Sequence, residues 1–182
     1  MKAALTLPTH DLLPSFIEAL REGYSGSTER LETEEDIERI ASDPAEFLEK
    51  LLGPQPEWIE LDDGSQAPRV GSTTLWLSSD SRFIGSINIR HKLTPNLEKF
   101  GGHIGYCIRP RDRRKGHAKH MLSQGIRYAK ERLGLHALLL TCNDDNIASI
   151  RTIEANGGCL LDRTYHPFDA ERLMRRYRIG SQ

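Results

Sequence analysis

Gly102-His103-Ile104-Gly105-Tyr106-Cys107-Ile108, closed by Pro110, runs into Arg113-Arg114-Lys115-Gly116-His117-Ala118, and the fold is read from this stretch. The first heptapeptide is a short, largely apolar strand. After the basic turn, Ala118, Met121, Leu122, Gly125, Ile126, Ala129 and Leu133 recur at helical spacing, with Gly134 where a helix stops. A strand therefore feeds through a basic, glycine-containing turn into an amphipathic helix. That geometry aims successive main-chain N–H groups and the positive end of the helix dipole at one point, which is an anion site suited to a diphosphate. Gly116 lets the backbone approach closely, and the small Ala118 leaves the first helical turn clear. The plainer alternative for the hexapeptide alone is a solvated basic turn that caps a helix.

Working outward, the N-terminal third reads as helices. Leu13, Phe16, Ile17, Leu20 and Tyr24 form one apolar stripe, Thr33 before Glu34-Glu35-Asp36 is a capped start, and Asp43-Pro44-Ala45-Glu46 is another. Residues 54–69 are a Pro/Asp/Gly-rich connection. Thr73–Leu77 and Phe83–Ile89 predict an antiparallel hairpin, with Phe83, Gly85, Ile87 and Ile89 on one face. The loop from His91 to Gly102 is too long for a tight turn and is placed to shape a site. Beyond the central helix, Leu135–Thr141 predicts a strand apolar on both faces. Ile147, Ile150 and Ile153 predict a helix that ends at Asn156-Gly157-Gly158, and Leu173, Arg175, Tyr177 and Ile179 alternate along a last strand after a turn at Pro167 and Asp169. The expected fold is α/β: a mixed, mostly antiparallel sheet with a central βαβ crossover and helices on both faces, in a single domain spanning residues 1–182.

The chain carries 25 Lys and Arg against 26 Asp and Glu, a formal net charge of −1. That balance argues against nucleic acid as a partner, although Arg109 to Lys115 and Arg172 to Arg178 are locally basic. No apolar run is long enough for a signal peptide at the start or for a membrane span. Cys107, Cys142 and Cys159 lack paired spacing and read as reduced, mostly buried thiols, which fits a cytoplasmic protein. His117 and His120 have no carboxylate or Cys at ligand spacing, so no metal is expected.

The pattern Arg113-x-x-Gly116-x-Ala118, after a strand and opening a helix, resembles the acetyl-CoA-binding motif of the GNAT acetyltransferases, and the element order resembles theirs too. The resemblance is firm from Phe83 to Gly158 and thin after Cys159. It implies acetyl-CoA as cosubstrate, its diphosphate held by the main chain of Arg113, Arg114, Lys115, Gly116, His117 and Ala118. It also implies a central strand that splays from its neighbour, with main-chain groups of Cys107 and Ile108 on the pantetheine arm and Asn146 touching that arm. The implied reaction is acetyl transfer to a primary amine, of a small molecule or a protein, by direct attack in a ternary complex.

An amine with a pKa of about 10 must shed a proton first, and the candidate bases are His103, Glu98 and His91. Many members of the family protonate the leaving thiolate with a Tyr where this chain has Ile153; Ser149, one turn earlier, is the candidate substitute. The competing expectation is an acyl-CoA sensor without turnover. A homodimer paired through the C-terminal strand is a further possibility, and the sequence names no particular acceptor.

Overall fold

The structure is a computed structural model that describes residues 3–26, 32–54, 57–60, 66–166 and 169–180. A three-residue strand, β1 (Ala4–Thr6), comes first, although the sequence reads as beginning with helices. Three residues are too few to show an alternation. The expected helices follow as α1 (Leu13–Arg21), α2 (Glu34–Ser42) and α3 (Pro44–Leu52). The starts of α2 and α3 are fixed by the predicted caps. Thr33 Oγ1 accepts from Asp36 N–H at 3.2 Å while Asp36 accepts from Thr33 N–H, and Asp43 accepts from Glu46 N–H at 2.9 Å. The apolar stripes of these helices pack with Trp76 and Phe83 in one core cluster, where Phe16 stacks on Trp76 with ring centroids 4.6 Å apart.

Inside the predicted connection, two short strands, β2 (Trp58–Glu60) and β3 (Gln66–Pro68), pair antiparallel. Then β4 (Ser72–Ser79) and β5 (Arg82–Arg90) form the expected hairpin. Its register shifts between Leu77 and Ser78, and that irregularity corrects one expectation. Phe83 does not share a face with Ile87 and Ile89. It packs among the N-terminal helices, while Ile84, Ile87 and Ile89 pack on the opposite side. A bulge reverses the alternation at one point, and a strict period of two carries no sign of it.

The central elements are β6 (Ile104–Ile108) and α4 (His117–Leu133), as predicted. They are followed by β7 (Leu138–Asn143), α5 (Ile147–Glu154), β8 (Cys159–His166) and β9 (Asp169–Ile179). α4 lies close on β5, because Gly125 presents no side chain there; a Cβ at that position would collide with Ile87. α4 and α5 cover one face of the sheets and α1 to α3 the other, as expected. Among the described residues, no helix is long and apolar enough to cross a membrane.

The strands do not form one continuous sheet. The order is β1-β4-β5-β6 in one sheet and β7-β9-β8 in a second, with β2-β3 apart. β7 is not apolar on both faces in the way expected: Leu138, Leu140 and Cys142 are buried, while Leu139, Thr141 and Asn143 are half-buried. β9 lies between β7 and β8, so the C-terminal strand is interior and the outer strand is β8. This overturns pairing of two subunits through the C-terminal strand. The expected turn residue Pro167 lies outside the described residues. Cys142 is buried, Cys107 half-buried and Cys159 exposed, so the thiols are less uniformly enclosed than expected.

Candidate active site

β6 and β7 touch at their beginnings and then separate. His103 N–H donates to Leu139 O at 2.7 Å, and Leu139 N–H donates to His103 Nδ1 at 3.0 Å. Past this bracket the two strands belong to different sheets, so a wedge opens between them. Hydrogen-bond alternation shows which main-chain groups face it. Arg109 N–H bonds Ile84 O, which sets the groups of Cys107 and Gly105 toward β5 and those of Tyr106 and Ile108 toward the wedge. Likewise Asp144 N–H bonds Leu173 O, which leaves Thr141 facing the wedge from β7. Cys107, named from the sequence for this role, thus has its main chain spent on Ser86 of β5, whereas Ile108 does face the wedge. Parity along a strand depends on its partner, so the sequence could not choose between them.

After β6 comes the expected turn into α4. Gly116 is left-handed at φ +81° and Arg114 at φ +62°, and no side chain caps α4. The main-chain N–H groups of Arg114, Lys115, Gly116, His117, Ala118 and Lys119 have no acceptor among the described residues. Six donors converging before a 17-residue helix suit the oxygens of a diphosphate. The side chains contribute little: Arg113 Nε donates to Ile108 O at 3.1 Å, and Lys115 Nζ pairs with Asp112 at 3.1 Å. Asp112 is buried and also bonds Arg82. Burial pushes its carboxyl up, but the Arg82 and Lys115 bonds more than offset this and leave it below the ordinary range.

The wedge opens into a cavity of about 590 Å³. Tyr106, Thr141, Asn146 and Ser149 line its wedge side, and Phe16, Tyr24, Trp76, Ser86 and Asn88 line the side under the N-terminal helices. Asn146 caps α5 by accepting from Ser149 N–H at 3.0 Å, so its side chain shapes the helix start that borders the wedge. Tyr24 Oη and Ser86 Oγ share a 2.6 Å hydrogen bond, which fixes a hydroxyl pair on the floor.

Three expected catalytic residues separate here. Ser149 lines the cavity, while His103 and Glu98 lie outside its lining. Burial lowers the His103 pKa, and its Nδ1 lone pair is occupied by Leu139. His91 is also turned away, with Nε2 2.9 Å from Thr73 Oγ1. Ile153 is 1% exposed and sits in the core, so α5 offers no acid there.

The sequence reading missed Tyr106. Its hydroxyl is buried with no well-formed hydrogen bond, beside the Ser149 and Thr152 hydroxyls, and burial pushes its pKa up to about 12. A Tyr in the strand that precedes the basic turn was the available signal, but its direction into the wedge is a tertiary fact. Cys107 and Cys142 are not activated. Burial raises Cys107 and takes Cys142 up to about 11. The arginines that looked like a basic surface are spent internally: Arg109 and Arg111 on Glu18 and Glu22, Arg175 on Asp144, and Arg176 on Asp162. No group of three or more His, Cys, Asp or Glu able to hold a metal occurs among the described residues.

Comparison with known proteins agrees with this geometry. No curated protein matches the chain. Solved structures similar to it include a spermidine/spermine N-acetyltransferase from Vibrio cholerae, at 14% identity and TM-score 0.59, covering 98% of this chain and 92% of that one. Another is a ribosomal L7/L12 alpha-N-protein acetyltransferase in complex with coenzyme A, at 13% identity and TM-score 0.60, covering 99% and 94%. A third is a putative acetyltransferase from Salmonella typhimurium with its cofactor acetyl-CoA, at 15% identity and TM-score 0.58, covering 98% and 93%. At these identities the likeness is one of fold. The model of the acetyltransferase (GNAT) domain matches residues 29–158, which takes in α2, α3, the splayed strands and the whole basic turn, and the chain belongs to that family.

Proposed function

We propose that this protein moves the acetyl group of acetyl-CoA to a primary amine, by direct attack while both substrates are bound. The observation that carries this is the continuity of one cavity from the wedge, at Tyr106 and Ser149, to the chamber floored by Ser86 and Asn88. A cosubstrate arm and an acceptor can meet there without a covalent enzyme intermediate. The residues fit coenzyme A: the amides of the basic turn suit its diphosphate, the wedge-facing main chain of Tyr106, Ile108 and Thr141 suits an amide-containing arm, and Asn146 borders that arm. Bound acetyl-CoA supplies a thioester carbonyl that is already activated toward amines.

The protein's own groups then have simple tasks. Main-chain N–H groups facing the wedge bond developing charge on oxygen, pre-aligned by the sheet. Tyr106 Oη keeps its proton up to about pH 12, so it is a donor at every physiological pH. Ser149, beside it, relays or shares that bond. His103 positions rather than titrates: it holds β6 to β7, and its Nδ1 cannot take a proton without surrendering Leu139. Glu98 lies outside the cavity lining, so the amine proton is lost to solvent at the cavity mouth.

Free-thiol release from acetyl-CoA against a panel of amines tests the reading, since a sensor without turnover releases none. The pH profile tests the proton route. If the amine deprotonates on its own, kcat/KM rises with pH toward the amine's pKa, and the inflection follows the amine when a less basic one is used. An inflection held below the ordinary imidazole value of 6.5, whichever amine is used, assigns the base to His103 instead.

Tyr106→Phe should lower kcat about 10- to 100-fold with unchanged coenzyme A affinity, because the proton is needed only as the thiolate leaves. Ser149→Ala should cost less. Full activity in both variants would assign the proton to solvent.

A further inference from the structure

The charge in the acceptor chamber indicates what kind of amine it takes. Arg90 lines the cavity from β5, on the same strand face as Ser86 and Asn88, four and two residues before it. Its guanidinium is half-buried, and its Nη1 donates to Gly101 O at 3.2 Å and Gly102 O at 3.0 Å. These carbonyls orient the fork but leave its charge uncompensated, and Arg90 forms no ion pair with a carboxylate among the described residues. Arg172, which donates to Asn143 Oδ1 at 3.0 Å, lines the same chamber, as does His166, its ring tilted 58° to that of Phe100. Among the described lining residues the sole carboxylate is Glu32, which is exposed. A chamber built for a polycation would need acidic walls; this one presents the Arg90 guanidinium. Keeping a guanidinium out of water without a counter-charge is costly, and a ligand that brings an anion recovers that cost.

We infer that the acceptor is a small primary amine that also carries an acidic group, a carboxylate or a phosphate, and that Arg90 receives that group by a forked pair of hydrogen bonds. The inference rests on the acetyltransferase reading and specifies its substrate class. Two residues along a strand span about 7 Å, so an amine resting at Asn88 reaches Arg90 with an anion a few bonds away. Short amino acids and aminoalkyl phosphates have that spacing, whereas a long polyamine presents a second cation to Arg90.

The test uses matched probes on the full chain saturated with acetyl-CoA: 3-aminopropionate and 2-aminoethyl phosphate against 3-aminopropanol and spermidine. Thiol release gives kcat/KM, and calorimetry with coenzyme A bound gives affinity without turnover. Expected is at least a tenfold preference for an acid-bearing probe over 3-aminopropanol, its carboxylate and phosphate forms distinguishing which anion fits better. In Arg90→Gln that preference should collapse toward one through a raised KM for the acid-bearing probe, with coenzyme A affinity kept, and Arg90→Lys should restore part of it. Equal or better use of 3-aminopropanol or spermidine by the unmodified protein overturns the inference while leaving acetyl transfer standing. So does a preference that Arg90→Gln leaves intact. If no amine releases thiol, the acetyl-transfer reading fails, and the inference is then decided by whether calorimetry finds tighter binding of 3-aminopropionate than of 3-aminopropanol.

Discussion

Gly116→Val is expected to abolish coenzyme A binding, raising its dissociation constant at least 100-fold, while the chain still folds. Gly116 sits at φ +81°, in the left-handed region that a branched side chain strongly resists. A Cβ there would meet no protein atom within 4 Å, so the obstacle is not a clash inside the fold. Holding a branched residue left-handed costs roughly 1–2 kcal/mol, so the loop would relax its backbone and its unpaired N–H groups would lose their arrangement. The side chain would also project into space a diphosphate occupies. Lys115→Ala is the control, because its ammonium is half-exposed and pairs with Asp112, so its share of the grip is a screened charge. Calorimetric titration with coenzyme A, alongside thermal melts, separates the outcomes. Equal losses in the two variants would mean that side-chain charge, not backbone, holds the anion.

Arg109→Ala is expected to destabilise the fold by about 3–5 kcal/mol, read as a lower urea midpoint. Arg109 directly follows β6, and its side chain is wholly buried. Its guanidinium makes a two-pronged bond to Glu22, at 2.7 Å through both Nε and Nη2, and also donates to Ser15 Oγ and Phe83 O. It therefore ties the exit of the central strand to α1 across 87 residues of sequence. Truncation leaves a cavity and unpaired acceptors together. Arg109→Met, which keeps much of the volume, should recover part of the loss. The pair also predicts acid sensitivity. The Arg109 bond holds the Glu22 carboxyl below its ordinary value of 4.5, so its stabilisation is complete above that pH and is lost as pH falls beneath it. The stability gap between wild type and Arg109→Ala should accordingly narrow between pH 6 and pH 3; a constant gap would place the effect in packing alone.

Local chemistry was legible in the chain. The caps at Thr33 and Asp43 began helices where expected, and the periodic residues from Ala118 to Leu133 marked α4. The strand–turn–helix form at Arg113 to Ala118 was also legible, because it is set by a few adjacent residues, Gly116 among them. The three-residue β1 and the β2–β3 pair were not legible, being too short to carry a period.

What the sequence by itself determined, then, is the longer elements and the strand–turn–helix form at Arg113 to Ala118, since both follow from interactions within a few residues of one another. What only the tertiary structure decided is where distant residues meet. The bulge at Ile84 sent Phe83 to the other core. The His103–Leu139 bracket opened the wedge, and strand parity gave its walls to Tyr106 and Ile108 rather than Cys107. Tyr106 came to lie beside Ser149, Arg90 came to line the cavity with no carboxylate partner among the described residues, and a surface-looking Arg109 was buried against α1. Each of these is a pairing across tens of residues, and its free energy depends on burial and geometry that no local pattern encodes.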